Sequence, residues 1–271
     1  MAIICREHKL LFVMVPGTGC SVVGNVLQEE LDGTFFPEQR LRRDGRADIA
    51  RKHNTVPELL ESGLLSEEER NEYLVFASVR NPFDRWVTYY QRLEGDWLDH
   101  YEGVSRRRIE REQKNLDLSD DEIQRRWDQH ERRFQKLRQR QRIIRWLGFN
   151  LWMTGTLLRW AWDRSKGERG SISQYAFPML DGVDVVIHQE RLNEGLNRVL
   201  EYAGVNRQID LPHKNTTSGK KPYTEYYTWS TRILAEALLG DEMDALGYEF
   251  ERMVDGQPVV WRSDQNVSVL S

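Results

Sequence analysis

From Leu10 to Val15 six apolar residues follow one another, and Pro16 ends the run. A short unbroken run of this kind marks a strand covered on both faces in a parallel sheet. Val23, Val26, Leu27 and Leu31 then recur at helical spacing, so LLFVMVPGTGCSVVGNVLQEEL reads as buried strand, glycine-bearing turn and amphipathic helix. A second apolar run, Tyr73 to Val79, leads directly into RNPFDRWVTYYQRL. There Asn81 suits an N-cap, Pro82 suits the first helical position, and Phe83, Trp86, Val87 and Tyr90 form one apolar face. A third strand is predicted at Val183 to Ile187, followed by a helix whose inward face is Leu192, Leu196, Val199 and Leu200. Strands alternating with helices predict an α/β fold around a parallel sheet.

Between these elements, Thr34 to Arg51 is polar, Arg-rich and without periodicity, and reads as a loop. Thr55 with Glu58 and Ser66 with Glu69 stand at capping-box spacing and predict two short helices. The segment LPHKNTTSGKKPYTEYYTW reads as an exposed loop leading into a last helix that reaches about Leu246.

From Asp99 to Arg145 the composition shifts to Arg, Glu, Asp and Gln. After a capping pair at Ser119 and Glu122, the residues Ile123, Trp127, His130, Phe134, Leu137, Gln141 and Ile144 alternate spacings of four and three. That is a heptad stripe on one long helix. It can dock within the same chain, pair with a second subunit through the helix at about 119–145, or meet a partner; docking within the chain is the plainest reading. The Arg-rich opposite face reads as a solvated surface with some attraction for a polyanion.

Composition narrows the class. The 271 residues are expected to form one domain spanning 1–271, with the charged helical segment at about 99–145 as an insertion. With 39 Lys plus Arg against 43 Asp plus Glu, the formal net charge of -4 supplies no global basic field for nucleic acid. Only Cys5 and Cys20 are present, which argues against a disulfide scaffold, fits a reducing compartment and offers no metal pattern. The apolar runs are far shorter than a membrane span and the start lacks a leader pattern, so a cytoplasmic location is expected.

The candidate chemistry gathers around the first turn. Gly17 and Gly19 permit backbone angles that let successive amides converge on one anion, and the helix behind them presents a positive dipole end. Arg80 stands at the end of a strand beside a helix start, where an anion contact and an ion pair at the sheet rim are equally natural readings. His53 precedes a helix; as a lone loop histidine it reads first as a surface residue and second as a general base. His188 and Glu190 follow the third strand without the number of ligands a metal requires. Lys220 and Lys221 read first as solvated lysines of an exposed loop.

Taken in order, these segments resemble the sulfotransferases that use 3′-phosphoadenosine 5′-phosphosulfate (PAPS), in particular the carbohydrate and bacterial branch. FVMVPGTGCSVV is similar to the family's phosphosulfate loop, P-K-T-[AG]-[GC]-[TS]-S after an apolar strand. VFASVRNPFDRWVTYY resembles its 3′-phosphate motif, R-x-P-x-x-R-x-x-S-x-Y. KHNTVPELL resembles a K-H-x-T segment, VDVVIHQERL a later strand with an acidic turn, and NTTSGKKPYTEYYT with LGYEF the usual ending. The likeness implies a P-loop-like three-layer fold, a central parallel β-sheet flanked by helices, to which this chain adds a long charged helical insertion.

It also implies sulfuryl transfer from PAPS to an acceptor hydroxyl or amine, a carbohydrate or other small molecule, with PAP as product and no metal. The resemblance assigns the backbone amides of Gly17, Thr18, Gly19, Cys20 and Ser21, with the hydroxyls of Thr18 and Ser21, to the phosphosulfate, Arg80 and Thr88 to the 3′-phosphate, His53 to the base, and Lys220 and Lys221 to closing over the cofactor. Two positions depart from the pattern. Thr88 replaces Ser and keeps the hydroxyl. Gly17 replaces the lysine that neutralises charge as sulfate leaves, with Lys52, Lys220 and Lys221 as possible substitutes. Gly17 therefore also admits a catalytically impaired PAPS- or PAP-binding or scaffold protein. A P-loop nucleotide kinase is disfavoured, because G-x-x-x-x-G-K-[ST] is missing.

Overall fold

The computed structural model describes residues 2–38, 54–115, 119–166, 177–212, 221–251, 259–262 and 265–269. The chain divides into two compact units. One comprises Met1–Pro82, Trp160–Lys221 and Glu236–Ser271, the other Phe83–Arg159 and Pro222–Ala235.

The first unit holds the sheet. Its elements are β1 (Ala2–Cys5), β2 (Leu10–Val13), α1 (Cys20–Glu30), β3 (Thr34–Phe36), α2 (Val56–Glu61), α3 (Glu67–Glu72) and β4 (Leu74–Val79). At the unit boundary comes α4 (Pro82–Glu94), followed by α5 (Trp97–Asn115) and α6 (Asp120–Ser165). The chain goes on with α7 (Phe177–Leu180), β5 (Val185–His188), α8 (Leu192–Tyr202), α9 (Trp229–Ala245), β6 (Val259–Arg262) and β7 (Gln265–Val269). The seven strands lie in the order β3-β1-β2-β4-β5-β6-β7.

The parallel part of this sheet is made of the three strands read from the apolar runs. Among the described strands β2, β4 and β5 run parallel, with Phe12 opposite Phe76 and Val79 opposite His188; β1 and β3 on one flank and β6 and β7 on the other add antiparallel pairs. Among the short strands that went unread in the pattern are β1 and β3. AIIC is too brief to separate from the chain start, and Thr34–Phe36 sits in the segment read as a loop; β1 is held between β2 and β3, and β3 is held by β1, rather than by any period of their own. The rest of that loop, from 39 to 51, lies outside the described residues.

The three parallel strands are buried as their apolar runs require. Phe12 and Phe76 pack with ring centroids 4.8 Å apart, and Val23 and Leu27 of α1 join Leu196, Val199 and Leu200 of α8 in one core with them. Both predicted capping boxes form, Thr55 with Glu58 at α2 and Ser66 with Glu69 at α3. Arg70 of α3 pairs with Asp184 at 2.6 Å, and the same carboxylate accepts the Val75 amide, which fixes the start of β4 against β5.

The second unit is helical and aromatic. Phe83, Val87 and Tyr90 of α4 are buried, and Tyr90 packs on Phe149 and Trp152. Phe149 also meets Tyr226 and Tyr227, whose segment is tied down by Asn150 through the Tyr226 carbonyl and the Thr228 amide. Burial pushes the Tyr227 phenol well above its ordinary pKa, and its hydroxyl donates to the Phe83 carbonyl.

The heptad stripe of α6 docks within the chain, on α5. Phe134 is buried against Tyr101, Gln141 donates to the Gly95 carbonyl, and Ser105 bonds His130 Nδ1. Charges then zip the two helices at their margins, Arg138 to Asp99 and Glu102, and Arg126 to Glu112. Gly148, with φ 69° and ψ 172°, interrupts α6 where the aromatic-rich continuation begins.

Candidate functional site

In the first unit the parallel strands β2, β4 and β5 all end at the same edge of the sheet, and the three segments that leave them carry the polar groups. Such an edge is where open α/β sheets hold ligands. From β2 the chain passes Met14 and Val15, still buried, into the turn Pro16 to Gly19. Gly17 has φ 82° and Gly19 φ 77°, both left-handed, which is why glycine stands at each. Gly19 is the N-cap of α1, no side chain caps it, and no acidic residue lies in the first turn. The Val22 amide is the first to close back, onto the Gly19 carbonyl at 2.9 Å. The dipole end of α1 is thus neither capped by a side chain nor neutralised by a carboxylate of its own first turn, which suits an anion.

Thr18 has a different task from the one expected of its hydroxyl. It is buried, and its Oγ1 donates to the Val15 carbonyl at 2.8 Å. With its one proton committed there, Thr18 accepts from Ser78 Oγ, 2.7 Å away on β4. The side chain therefore locks the turn to the sheet, and only the backbone of Thr18 remains for a ligand. Ser21 is exposed on the first turn of α1, while Cys20 is buried. Burial, with Asp32 nearby, pushes the Cys5 thiol up to about 12, which removes it as a nucleophile near neutral pH.

Arg80 leaves the end of β4, and its Nη1 donates to the Gly17 carbonyl at 3.3 Å. A guanidinium is thereby held against the glycine turn, the first of the sequence-predicted residues that the fold brings together with it. The next residue, Asn81, is fixed twice: its amide donates to Glu190 Oε1 at 3.0 Å, and its side chain donates to the Glu249 carbonyl at 3.1 Å. Glu190, which follows β5, also accepts the Tyr248 hydroxyl through Oε2 at 2.6 Å. The sequence LGYEF is thus a clamp on the end of β4.

His188 closes the same clamp. It is buried, and its Nε2 must carry the proton, since it lies 2.8 Å from the Leu246 carbonyl. Burial lowers its pKa below the ordinary histidine value, so the ring is neutral near pH 7 and packs edge-on against Tyr248 at 5.0 Å. This is a core histidine with a satisfied donor. Ser78, Asn81 and Tyr248 went unread as site-forming residues, because their partners lie 58 to 168 residues away in sequence.

Of the other residues expected at the site, Thr88 is half-buried on α4 in the helical unit, and Lys221 is exposed at the end of a first-unit segment. His53, Lys52 and Lys220 lie outside the described residues. Among the described residues no group of three or more His, Cys, Asp or Glu side chains is placed to hold a metal ion, and no helix is long and apolar enough to cross a membrane.

Residues 1–240 match the model of the Sulfotransferase family, and the chain belongs to that family. Its membership supports a transferase and sulfuryl transfer as the chemistry. Searches among curated proteins and among solved structures find no match.

Proposed function

We propose that this chain transfers a sulfuryl group from PAPS to a hydroxyl or amine of a carbohydrate or other small acceptor. The observation that carries the reading is the turn between β2 and α1, with two left-handed glycines, a helix start uncapped by any side chain and the Arg80 guanidinium on the Gly17 carbonyl. In this reading the backbone amides from Gly17 through Thr18, Gly19 and Cys20 to Ser21, with the Ser21 hydroxyl, hold the phosphosulfate. Arg80 and Thr88 serve the 3′-phosphate, Lys220 and Lys221 close over the cofactor, and the sheet and its helices belong to a P-loop-like three-layer fold.

PAPS would supply the sulfuryl group. His53 takes the acceptor's proton as its oxygen or nitrogen attacks sulfur; the bond from sulfur to the bridging oxygen breaks, and PAP leaves with that oxygen's electron pair. Positioning and charge stabilisation carry such a transfer. The negative charge growing on the bridging oxygen needs a cation, and Gly17 has none. Arg80 is the described cation already bonded to that residue, and it joins Lys52, Lys220 and Lys221 as a substitute. Gly17 also favours a second reading, a PAP-binding protein with impaired turnover.

Calorimetric titration with PAP, and separately with ATP and Mg²⁺, tests the donor class, and labelled sulfate transfer from PAPS tests turnover. PAP binding that weakens in Arg80→Ala, together with transfer that rises in Gly17→Lys, is expected. Binding of ATP with Mg²⁺ and none of PAP would reject the donor assignment. PAP binding with no transfer to any acceptor, in the native chain and in Gly17→Lys alike, would select the non-catalytic reading.

A further inference from the structure

Residues 132–145 carry seven Lys and Arg and no carboxylate, in a chain whose formal net charge is -4. Three of the seven are engaged inside the helical unit. Arg133 donates to the Tyr101 hydroxyl, Arg138 pairs with Asp99 and Glu102, and Arg145 donates to the Glu94 carbonyl. Arg132, Lys136, Arg140 and Arg142 are exposed as well. They do not belong to the seam of α6, which runs through His130, Phe134, Gln141 and Ile144. At about 100° per residue, Arg132, Lys136, Gln139, Ile143 and Trp146 fall on the side of the helix opposite that seam.

Two features of this side go beyond a solvated basic face. Arg132, Gln135, Lys136, Gln139, Arg142 and Ile143 line an open depression of about 550 Å³, so cations and amide donors converge on one space. At its C-terminal end the face turns apolar, with Ile143 51% exposed and Trp146 83% exposed. The stretch from Arg132 to Trp146 is about 21 Å of straight helix, ending before the break at Gly148.

A polyanionic chain would meet the cations and leave the indole of Trp146 and the side chain of Ile143 in water. An anionic bilayer surface takes both: phosphate and carboxylate headgroups reach the cations, while Trp and Ile enter the boundary beneath them. We infer that this face of α6 docks the protein on membranes rich in anionic phospholipid. The seam on α5 holds the helix in place, and the opposite side lies flat on the headgroups. The inference does not depend on the identity of the sulfuryl donor or acceptor.

Sedimentation of the full chain with vesicles of phosphatidylcholine containing phosphatidylserine, against vesicles of phosphatidylcholine alone, tests it. The native chain is expected to bind the mixed vesicles only, and less as salt rises. Arg132→Gln, Lys136→Gln and Arg142→Gln combined should weaken that binding about a hundredfold, at about fivefold per cation. Trp146→Ser should weaken it at unchanged charge. All four positions are exposed, and an unaltered melting curve checks that the fold is intact. Equal binding to both vesicle types, no binding to either, or binding indifferent to the triple substitution would overturn the inference. Retention on a heparin matrix with no vesicle binding, or vesicle binding untouched by Trp146→Ser, would do the same, by assigning the face to a polyanionic chain or to charge alone.

Discussion

The sheet unit and the helical unit handle polarity in opposite ways. In the sheet unit the polar side chains near the strand ends are few, mostly buried and bonded to backbone: Thr18 to the Val15 carbonyl, His188 to the Leu246 carbonyl, Asn81 to the Glu249 carbonyl. In the helical unit they are many, mostly exposed and bonded to each other, as in Arg138 with Asp99 and Glu102 or Arg108 with Glu112. The first arrangement fixes a backbone shape, because water has no ready access to replace a buried bond that is lost. The second leaves water as a ready substitute for each partner. Density of charge is therefore a poor guide to the chemistry of this chain. The turn before α1 is built on two left-handed glycines, with one arginine bonded to it.

The largest separation between the two arrangements should appear at the turn itself. Gly17 and Gly19 share a left-handed backbone, so an alanine at either is strained by on the order of 1–3 kcal/mol. They differ in surroundings. A Cβ at Gly19 would meet Leu192 Cδ2 at 2.9 Å, whereas one at Gly17 meets nothing within 4 Å. Urea denaturation is expected to show Gly19→Ala losing more stability than Gly17→Ala, with unchanged m-values. Equal losses would mean that the start of α8 does not press on the turn, and the rigidity claimed for the sheet unit would be wrong at its central point.

A smaller effect is expected from the clamp at the end of β4. Glu190→Ala removes the acceptor for both the Asn81 amide and the Tyr248 hydroxyl. Buried Tyr248 loses this acceptor, whereas the exposed Glu190 position admits water, so the cost should be about 1–2 kcal/mol. Glu190→Gln, which keeps an acceptor oxygen, should recover part of it in thermal melts. A Glu190→Ala protein as stable as the native one would place the clamp with the replaceable surface pairs of the helical unit.

How much of this was legible in the sequence follows the same division. Buried parallel strands announce themselves as apolar runs, so Leu10–Val13, Leu74–Val79 and Val185–His188 were found to within two residues. The capping boxes and the heptad stripe were equally open to reading, because they are periodic or local. The antiparallel flanks were not. Ala2–Cys5, Thr34–Phe36 and the C-terminal pair β6 and β7 are short, and their existence depends on a neighbour that no local pattern specifies. At the site, the glycine turn and Arg80 were visible as residue types. That Arg80 meets Gly17 across 63 residues, and that Thr18 turns its proton inward to Val15, are consequences of tertiary packing.

The smallest effect belongs to the charged margin of the hairpin between α5 and α6. Arg138 bonds Asp99 at 2.9 Å and also reaches Glu102, but its side chain is 46% exposed. Pairs of this kind typically contribute about 0.2–1 kcal/mol and are screened by salt. Arg138→Ala should therefore lower stability by less than about 1 kcal/mol at low ionic strength and by less still in 0.5 M salt. The helix pair keeps its seam through Phe134 and Ile144, both buried. A loss as large as that from Glu190→Ala, persisting in salt, would show that the surface charges of the helical unit do hold its shape. The contrast between a site set by buried bonds and a hairpin merely trimmed by surface ones would then fail.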